Sequence, residues 1–390
     1  MYNPQASFRN ILSPVKAEDF FETDYGCTVR YIPGPDDKFS GLYSWDDLNR
    51  CMNFDKVWDS FNVKMVMDSE PVPPVNYCPE GNLDRAILAK YLDQGATLVL
   101  SGFETLCDGA GALFKSIQTA TKSPCGGVLY YSKKEHAGFR PHFDIMDVFV
   151  IQIAGEKLWT IYESQFENPI LKPGYHSMSF SHDHHRKNKG AIEAEITMTP
   201  GDVLYIPRGK YHSALAKSDS CLHLSFGIEP ARGIDYLQSL IDTMHDDPLF
   251  REEIPSFDHF DAQEAYIGKL ADRIREKMVN PEFIAQMGGE QRRRVYENLP
   301  IFSMPNSSRI PGFRVRVTGS KLLRRGKNWL LITPRGQSEI SAEISSIAKW
   351  MLLSDLFTFE NLKDAFADSN DDQLGKAILS LTDAGLIEGF

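Results

Sequence analysis

Long apolar runs, paired cysteines and an excess of basic residues are all missing from this sequence. No uninterrupted apolar stretch reaches the ~18 residues of a transmembrane helix. The first residues, MYNPQASFRN, lack the basic and apolar regions of a secretory signal. The six cysteines include no CxxC pair, so neither a zinc site nor a disulfide framework is indicated. We therefore expect a cytoplasmic protein with reduced thiols and no membrane contact.

The charge balance restricts the kinds of partner. The 390 residues include 42 Lys or Arg and 53 Asp or Glu, which gives a net charge of −11. This balance argues against a protein whose whole surface binds nucleic acid, although it leaves room for a local basic patch. The segment 309–335 is such a patch, because it is rich in Lys and Arg and contains no acid. It is either a solvated β surface or a contact for nucleic acid such as ribosomal RNA.

Hydrophobic periodicity divides the chain into regions of different structure. Runs with a period of two, such as GGVLYYS, DVFVIQIAG and LHLSFGIEP, fill residues 126–230 and predict a mainly β sandwich or barrel. The segment 163–194 interrupts this rhythm and is predicted to be a long polar loop. Helical patterns follow Pro230, and the end of the chain has the size and element pattern of a small winged-helix unit. We predict three domains, over residues 1–231, 232–304 and 305–390.

The spacing His-x-Asp, which suits a metal site, occurs three times: His142 with Asp144, His245 with Asp247, and His259 with Asp261. Side chains two residues apart lie on one face of an extended strand but not of a helix. The first pair opens a β-patterned run, whereas the other two lie beside helical segments with acidic neighbours. We therefore predict that the first pair holds a metal and that the other two pairs belong to solvated loops. The HDHH run at residues 182–185 is also predicted to lie in an exposed loop.

A third metal ligand and an anchor for an anion complete the predicted site. His212 follows a strand and a Gly turn in TPGDVLYIPRGKYHSAL. Two histidines and one carboxylate leave three adjacent positions open, which suits iron(II) oxygenases, although zinc hydrolysis uses similar ligands. Lys157 shares the strand parity of Trp159 in an apolar run, where a lysine is unfavourable unless it meets an anion. A carboxylate cosubstrate would be such an anion, and this lysine therefore favours oxygenation over hydrolysis.

The motifs in this order resemble a known family. GATLVLSG, GFRPHFDIMDVFVIQIAGEKLW, TPGDVLYIPRGKYHSAL and LHLSFG are similar to the JmjC-type iron(II) and 2-oxoglutarate oxygenases, in particular the ribosomal oxygenase (cupin-4) branch. The resemblance also includes the amino-terminal ILSPVKAEDFF and the carboxyl-terminal third of the chain. It implies a double-stranded β-helix, or jelly roll, followed by a helical dimerisation segment and a winged-helix domain.

The resemblance also implies roles for individual residues. The metal triad falls on His142, Asp144 and His212, and the residue that binds the distal carboxylate of 2-oxoglutarate falls on Lys157. Tyr130 and Ser225 match positions that help to hold cosubstrate or substrate. Relatives often have Asn where this chain has Val128, so one polar contact of the family is missing. We expect the mouth of the site to be lined by three further residues, Arg140, Tyr131 and Met146.

Three functions are compatible with these observations. The leading one is hydroxylation of a protein or peptide side chain with Fe(II), 2-oxoglutarate and O2, by a homodimer whose substrate is a ribosomal protein by family analogy. The second is hydroxylation of a ribosomally synthesised natural-product peptide. The third is a non-catalytic cupin scaffold that recruits nucleic acid through segment 309–335. A pure scaffold has no reason to bury a cation beside the triad, so Lys157 discriminates between the third function and the other two.

Overall fold

The computed structural model describes residues 4–54, 56–134, 137–296, 312–316, 321–325, 328–333, 336–354, 356–366 and 369–389. The chain forms two compact units, Met1–Pro230 and Ala231–Phe390. The further boundary that we predict at residue 304 lies outside the described residues. Among the helices described, none is both long enough and apolar enough to cross a membrane.

Two antiparallel sheets form the first unit. The larger has eight strands in the order β1-β10-β7-β12-β5-β4-β2-β3, and the smaller has four in the order β6-β11-β8-β9. This is the predicted β-rich, cupin-like core. The strands are β1 Arg30–Ile32, β2 Val63–Met67, β3 Glu70–Pro71, β4 Thr97–Ser101, β5 Cys125–Ser132, β6 Ala137–His142, β7 Asp147–Ala154, β8 Lys157–Gln165, β9 Ile192–Met198, β10 Val203–Ile206, β11 Lys210–Ala216 and β12 Cys221–Ile228.

Side chains of alternate residues fill the space between the two sheets. Val148 and Val150 of β7 belong to the same buried cluster as Trp159 and Ile161 of β8. The intervening Phe149 points to the opposite face of the large sheet, where its ring contacts Phe8 and Phe20 of the amino-terminal helices. Strand β7 is therefore buried on both faces, which explains why its residues 148–151 are continuously apolar rather than alternating.

Six helices accompany these sheets, and one of them corrects the sequence prediction. The segment 163–194, predicted to be a long polar loop, contains the end of β8, helix α6 and the start of β9. Ser181 begins α6, because its hydroxyl accepts a hydrogen bond from the backbone N–H of His184 at 3.2 Å. The helices are α1 Phe8–Leu12, α2 Ala17–Thr23, α3 Trp45–Met52, α4 Arg85–Asp93, α5 Asp108–Thr121 and α6 His182–Asn188.

Three helices begin the second unit: α7 Gly233–Met244, α8 Phe260–Met278 and α9 Pro281–Tyr296. Leu240 and Met244 of α7 pack against Phe283 and Met287 of α9. One part of the sequence prediction is wrong here, because Asp247 does not lie in a solvated loop. It is 8% exposed, it accepts a hydrogen bond from the backbone N–H of Leu249, and it pairs with Arg273 at 2.8 Å. Its role is to connect α7 to α8.

The remainder of the second unit combines short strands with three helices around an apolar cluster that includes Leu331, Ile347 and Leu374. Strands β13, β17 and β18 form one three-stranded sheet, and β14, β15 and β16 form another. The strands are β13 Gly312–Val315, β14 Lys321–Arg325, β15 Asn328–Thr333, β16 Gly336–Ile340, β17 Leu356–Thr358 and β18 Ile387–Gly389. The helices are α10 Ser345–Leu353, α11 Phe359–Ala365 and α12 Asp371–Asp383.

The basic segment 309–335 is partly neutralised by a later residue. Arg314 and Arg316 of this segment both pair with the carboxylate of Glu388 in β18. Arg309, Lys327 and Arg335 lie outside the described residues. The number of basic residues in the segment therefore overstates the positive charge that is free to meet an anionic partner.

Candidate metal centre

The two sheets bring His142, Asp144 and His212 together. His142 is the last residue of β6, Asp144 lies in the turn before β7, and His212 lies in β11 directly opposite His142 in the register of the small sheet. The His-x-Asp pair therefore spans a strand end and a turn, rather than lying within one strand as its sequence pattern suggested. One ligand atom from each residue lies within 4.8 Å of the others.

A glycine turn determines how His212 approaches Asp144. Gly209 has φ +81°, and a Cβ atom at this position would lie 2.0 Å from the carbonyl oxygen of Phe166. Only glycine fits both this backbone conformation and this close approach. The Gly209 N–H donates to the backbone carbonyl of Asp144 at 2.8 Å, and this bond ties the turn before β11 to the loop that holds the carboxylate.

Both histidines present the same ring nitrogen to the carboxylate. The Nδ1–H of His142 donates to the carbonyl oxygen of Arg140 at 2.8 Å, and the Nδ1–H of His212 donates to that of Lys210 at 2.9 Å. A carbonyl can only accept a hydrogen bond, so each ring has a proton on Nδ1, and Nε2 is the nitrogen that faces the carboxylate. The backbone thus fixes the orientation of both imidazoles. In metal sites, the ligand histidines are usually oriented by this kind of hydrogen bond from the second ring nitrogen.

The distances and charges suit a divalent cation. Nε2 of His212 lies 3.5 Å from Oδ2 of Asp144, and Nε2 of His142 lies 3.9 Å from Oδ1. Burial, followed by the neighbouring ring of His142, lowers the pKa of His212 to about 4. His212 is consequently neutral at neutral pH, with its Nε2 lone pair available. Two imidazole nitrogens and one carboxylate form a donor set that fits a first-row divalent metal.

Lys157 is buried between the two sheets, and no described residue gives it a counter-charge. It begins β8 and is 5% exposed. Its ammonium donates to Ser132 Oγ and to His223 Nδ1, both at 3.3 Å, and no carboxylate pairs with it in the described part of the chain. Burial lowers its pKa to about 8. A buried cation with only neutral neighbours is unfavourable, so this pocket fits an anionic ligand.

Aromatic side chains connect the lysine pocket to the triad. The ring of Trp159 lies 5.9 Å from that of His212 and 5.7 Å from that of His223. Tyr130 stacks on His223 with ring centroids 4.7 Å apart. Burial of Tyr130, followed by the negative charge of Asp144, raises the pKa of the Tyr130 hydroxyl. Lys157 and the triad therefore border one continuous region of the barrel interior.

His223 was not among the residues that we selected from the sequence. Its strand, CLHLSFGI, reads as an ordinary core strand. Alternation places His223 and Ser225 on the same face of β12, and His223 lies opposite Tyr130 in register while Ser225 lies opposite Val128. A polar residue at every second position of an otherwise apolar strand was the available signal. Ser225 is buried on this same face of β12, and its contact with a cosubstrate stays a prediction.

The three residues predicted for the mouth have different positions. Met146 packs at the edge of the cluster between the sheets. The side chain of Arg140 pairs with Glu70 at 3.1 Å, and only its backbone carbonyl contacts a triad residue. Tyr131 lies on the opposite face of β5 from Tyr130 and contacts Trp45 of α3. The structure thus brings Met146 close to the interior but gives Arg140 and Tyr131 other contacts.

Helix α6 supports the ligands from the outer face of the small sheet. Phe143 and Tyr211 are the neighbours of triad residues in sequence, and both contact the ring of His185. His185 is 5% exposed, and it bonds Tyr211 Oη at 3.1 Å through Nδ1 and the Ser177 carbonyl at 2.9 Å through Nε2. The prediction that the HDHH run is an exposed loop is therefore wrong for this histidine, which is a packing residue of a helix.

Comparisons with known proteins agree with this architecture. The family model described as the JmjC domain matches residues 112–236. The bifunctional lysine-specific demethylase and histidyl-hydroxylase NO66 of Dictyostelium discoideum is 27% identical over 219 residues, which are 55% of this chain and 41% of that protein. Ribosomal oxygenase 1 of Danio rerio is 24% identical over 220 residues, 56% of this chain and 39% of that protein. The chain thus aligns with about two fifths of these curated relatives.

Solved structures resemble the chain over nearly its whole length. The X-ray structure of ycfD from Escherichia coli superposes with a TM-score of 0.56 at 17% identity, and the match covers 97% of this chain and 99% of that one. YcfD in complex with cobalt and 2-oxoglutarate, described as a ribosomal oxygenase from Escherichia coli, gives a TM-score of 0.55 with 96% and 98% covered. At this identity the likeness concerns the fold. Together, the sequence and fold comparisons confirm the resemblance to the ribosomal oxygenase branch.

Proposed function

We propose that this protein is an Fe(II)- and 2-oxoglutarate-dependent oxygenase that hydroxylates a protein or peptide side chain, because residues 112–236 match the JmjC domain and the chain is similar to ribosomal oxygenases. One observation carries the proposal. Two histidines and one carboxylate converge within 4.8 Å, and the same barrel interior contains a buried lysine without a carboxylate partner among the described residues.

The triad residues fit iron(II) better than a structural metal. His142, Asp144 and His212 would supply three ligands to an ion and would leave its other positions to a chelating cosubstrate and oxygen. When bound there, iron(II) supplies the chemistry by which 2-oxoglutarate and O2 are converted to succinate and carbon dioxide while one C–H bond of the substrate is hydroxylated. The protein's own contribution is to hold the ligands and the target carbon in place.

Lys157 has the charge and the burial that 2-oxoglutarate requires. Its ammonium uses two of three N–H groups on Ser132 and His223, and the third is available to a carboxylate. When Lys157 holds the distal carboxylate of the keto acid, the other end of the molecule is directed toward the triad. The cosubstrate then binds in one orientation, which favours the reaction. This feature also opposes the scaffold alternative and zinc hydrolysis, since neither needs a buried cation beside the metal.

The substrate class follows from the names of the relatives. The Dictyostelium relative is a histidyl-hydroxylase and lysine-specific demethylase, and the Danio relative is a ribosomal oxygenase. These relatives support a protein side chain as the substrate, and a ribosomal protein is the leading candidate. The proposal concerns the class of substrate, because the mouth residues Arg140 and Tyr131 are engaged elsewhere and give no pattern for one amino acid.

We further propose that the second unit makes a homodimer. Ile234, Leu237 and Ile241 share one face of α7 and are 55%, 41% and 48% exposed, while Leu240 and Met244 of the same helix are buried. Such an apolar stripe on a soluble surface is typical of a protein contact. The winged-helix assignment of residues 305–390 and the nucleic-acid contact of segment 309–335 stay predictions. The pairing of Arg314 and Arg316 with Glu388 weakens the prediction of a nucleic-acid contact.

The proposed activity has a direct test. Purified protein with Fe(II), 2-oxoglutarate and O2 should form succinate, and peptides from cells that contain the protein should carry one more oxygen atom than those from cells without it. Iron-loaded, folded protein that forms no succinate and leaves no oxidised peptide would contradict the proposed function.

A further inference from the structure

Phe139 of β6 is a large apolar residue that is partly exposed beside the triad. It is 36% exposed, and its ring centroid lies 5.7 Å from that of His142 and 6.0 Å from that of Tyr130. Tyr130 belongs to the large sheet, so the ring of Phe139 bridges the two sheets at the strand β6. Neither the metal centre nor the Lys157 pocket makes use of this ring.

A β-bulge turns Phe139 onto the face of the small sheet that has the two histidine ligands. In β11, His212 and Ala214 are two residues apart and share one face. Their partners in β6, His142 and Phe139, are three residues apart, so two residues of β6 oppose a single residue of β11. In a regular strand, residues three apart point to opposite faces, and the extra residue brings Phe139 to the side of His142. Bulges next to functional sites often re-aim a side chain in this way.

Solvent reaches the triad from the side on which Phe139 lies. The side chains of His142 and Asp144 are 26% and 38% exposed, whereas that of His212 is 5% exposed. Strand β6, which contains both His142 and Phe139, is at the edge of the small sheet as the structure describes it. A side chain that enters from solvent therefore passes Phe139 as it approaches the triad. An aromatic ring that is exposed at such an entrance is typical of a binding surface.

We propose that Phe139 is a specificity-determining residue, whose ring packs against the target side chain of the protein substrate and holds it beside the triad. This inference rests on the proposed function and adds a substrate contact to it. The face of an aromatic ring is the negative end of its quadrupole, so the ring attracts planar and cationic side chains and disfavours an ionised carboxylate. The target is therefore a planar or cationic side chain and not an acidic one.

Three variants separate a contact with the substrate from a structural role. Phe139→Tyr keeps the aromatic ring, whereas Phe139→Leu keeps an apolar side chain without the ring. Phe61→Leu is the matched control, because Phe61 is 87% exposed in the turn before β2 and loses the same ring away from β6. Circular dichroism shows whether each variant is folded.

The probe is a synthetic peptide whose sequence gains an oxygen atom only in cells that contain the protein. Its dissociation constant is measured by calorimetry with the full-length, zinc-loaded protein at saturating 2-oxoglutarate, so that binding is measured without turnover. An aromatic contact corresponds to roughly a threefold to tenfold change in affinity. We expect Phe139→Leu to bind the peptide at least about threefold more weakly, and Phe139→Tyr and Phe61→Leu to bind it within about twofold of the wild type. The dissociation constant of 2-oxoglutarate should be the same in all four proteins.

Three results would overturn the inference: wild-type affinity for the peptide in Phe139→Leu, a loss of 2-oxoglutarate affinity in the same proportion, or an Asp or Glu side chain as the oxidised target. A different result bears on the proposed function itself. If no peptide gains an oxygen atom in cells that contain the protein, the proposed function is contradicted.

A cross-linking measurement covers the case in which Phe139→Leu does not fold. The photoreactive amino acid p-benzoylphenylalanine replaces Phe139 and keeps an aromatic ring at this position. On irradiation of the zinc-loaded protein with the same peptide, the cross-link should form at the residue that gains oxygen or at its immediate neighbours. A cross-link elsewhere in the peptide, or none at saturating peptide, would overturn the inference.

Discussion

His212 of β11 lies directly opposite His142 of β6, and its Nε2 reaches within 3.5 Å of the Asp144 carboxylate. The register of one strand pair therefore brings together ligands that are distant in the sequence. We expect His212→Ala to weaken Mn(II) or Fe(II) binding by at least about a hundredfold, since even residues that only support a ligand change metal affinity by ~10–100-fold. Calorimetric titration with metal measures this effect.

A surface histidine provides the control for that substitution. His245 is exposed at the end of α7, and His245→Ala should leave the metal affinity unchanged. Metal affinity in His212→Ala equal to that of the wild type, in a protein with an intact circular dichroism spectrum, would remove His212 from the centre.

Removing the charge of Lys157 should stabilise the protein without ligand. Burial lowers the pKa of this lysine to about 8 and so disfavours its charged form in the folded state. Lys157→Met should raise the free energy of unfolding at pH 7 by about 1–2 kcal/mol, allowing for the hydrogen bonds lost to Ser132 and His223. The gain should shrink as the pH rises from about 8 toward ~10.5, because the lysine of the wild type then becomes neutral in the folded state. Denaturant unfolding at several pH values measures it.

Lys38 is the matched control, because it is also a buried lysine. Its ammonium donates to the backbone carbonyls of Ile11 and Ser13, both at 3.0 Å. Lys38→Met should therefore destabilise the protein, since it leaves two carbonyl groups without their donor. If both substitutions destabilise equally, the Lys157 pocket is a structural site and not an anion-binding site.

The affinity for 2-oxoglutarate should fall at alkaline pH. The carboxylates stay ionised throughout this range, whereas Lys157 without ligand loses its proton above about pH 8. Binding should be constant below that pH, and the dissociation constant should rise about tenfold for each further pH unit. In Lys157→Arg the guanidinium remains charged, so any residual binding should not depend on pH up to ~10. A wild-type profile that is flat to pH 10 would contradict the role of the lysine.

If the protein is a homodimer through α7, charged residues on the exposed apolar face of this helix should make it monomeric. Leu237→Lys with Ile241→Lys introduces two ammonium groups into the exposed apolar face of this helix. Sedimentation should show a dimeric wild type and a monomeric variant at the same micromolar concentration. Ile267→Lys, at a 60% exposed position of α8, is the control and should remain dimeric. A wild type that sediments as a monomer would exclude the homodimer.

The metal residues could be selected from the sequence because their chemistry has a short-range pattern. His142 and Asp144 are two residues apart, and His212 follows a Pro- and Gly-marked turn in a β-rich region. Lys157 was recognisable because a lysine in an apolar strand is unusual. The β-rich core followed from the period of two. The resemblance to a family then connected these separate features.

Other features depend on tertiary contacts that the local pattern does not contain. Helix α6 was not predicted, because its sequence is polar. His185 in this helix is buried because Phe143 and Tyr211 pack against its ring on the outer face of the small sheet. Tyr131 was predicted to line the mouth of the site, although alternation places it on the other face of β5 from Tyr130. His223 escaped selection because its partner Lys157 lies on a different strand. The cytoplasmic location stays a prediction.

The most direct test of the whole site is an anaerobic absorption titration of the iron-loaded protein with 2-oxoglutarate. If the triad chelates iron and Lys157 holds the far carboxylate, the wild type should develop a weak visible band that saturates with one equivalent of 2-oxoglutarate. Lys157→Ala should need at least about tenfold more 2-oxoglutarate for the same band, with its iron content unchanged. Folded wild-type protein that holds iron and develops no band at any concentration of 2-oxoglutarate would contradict the account.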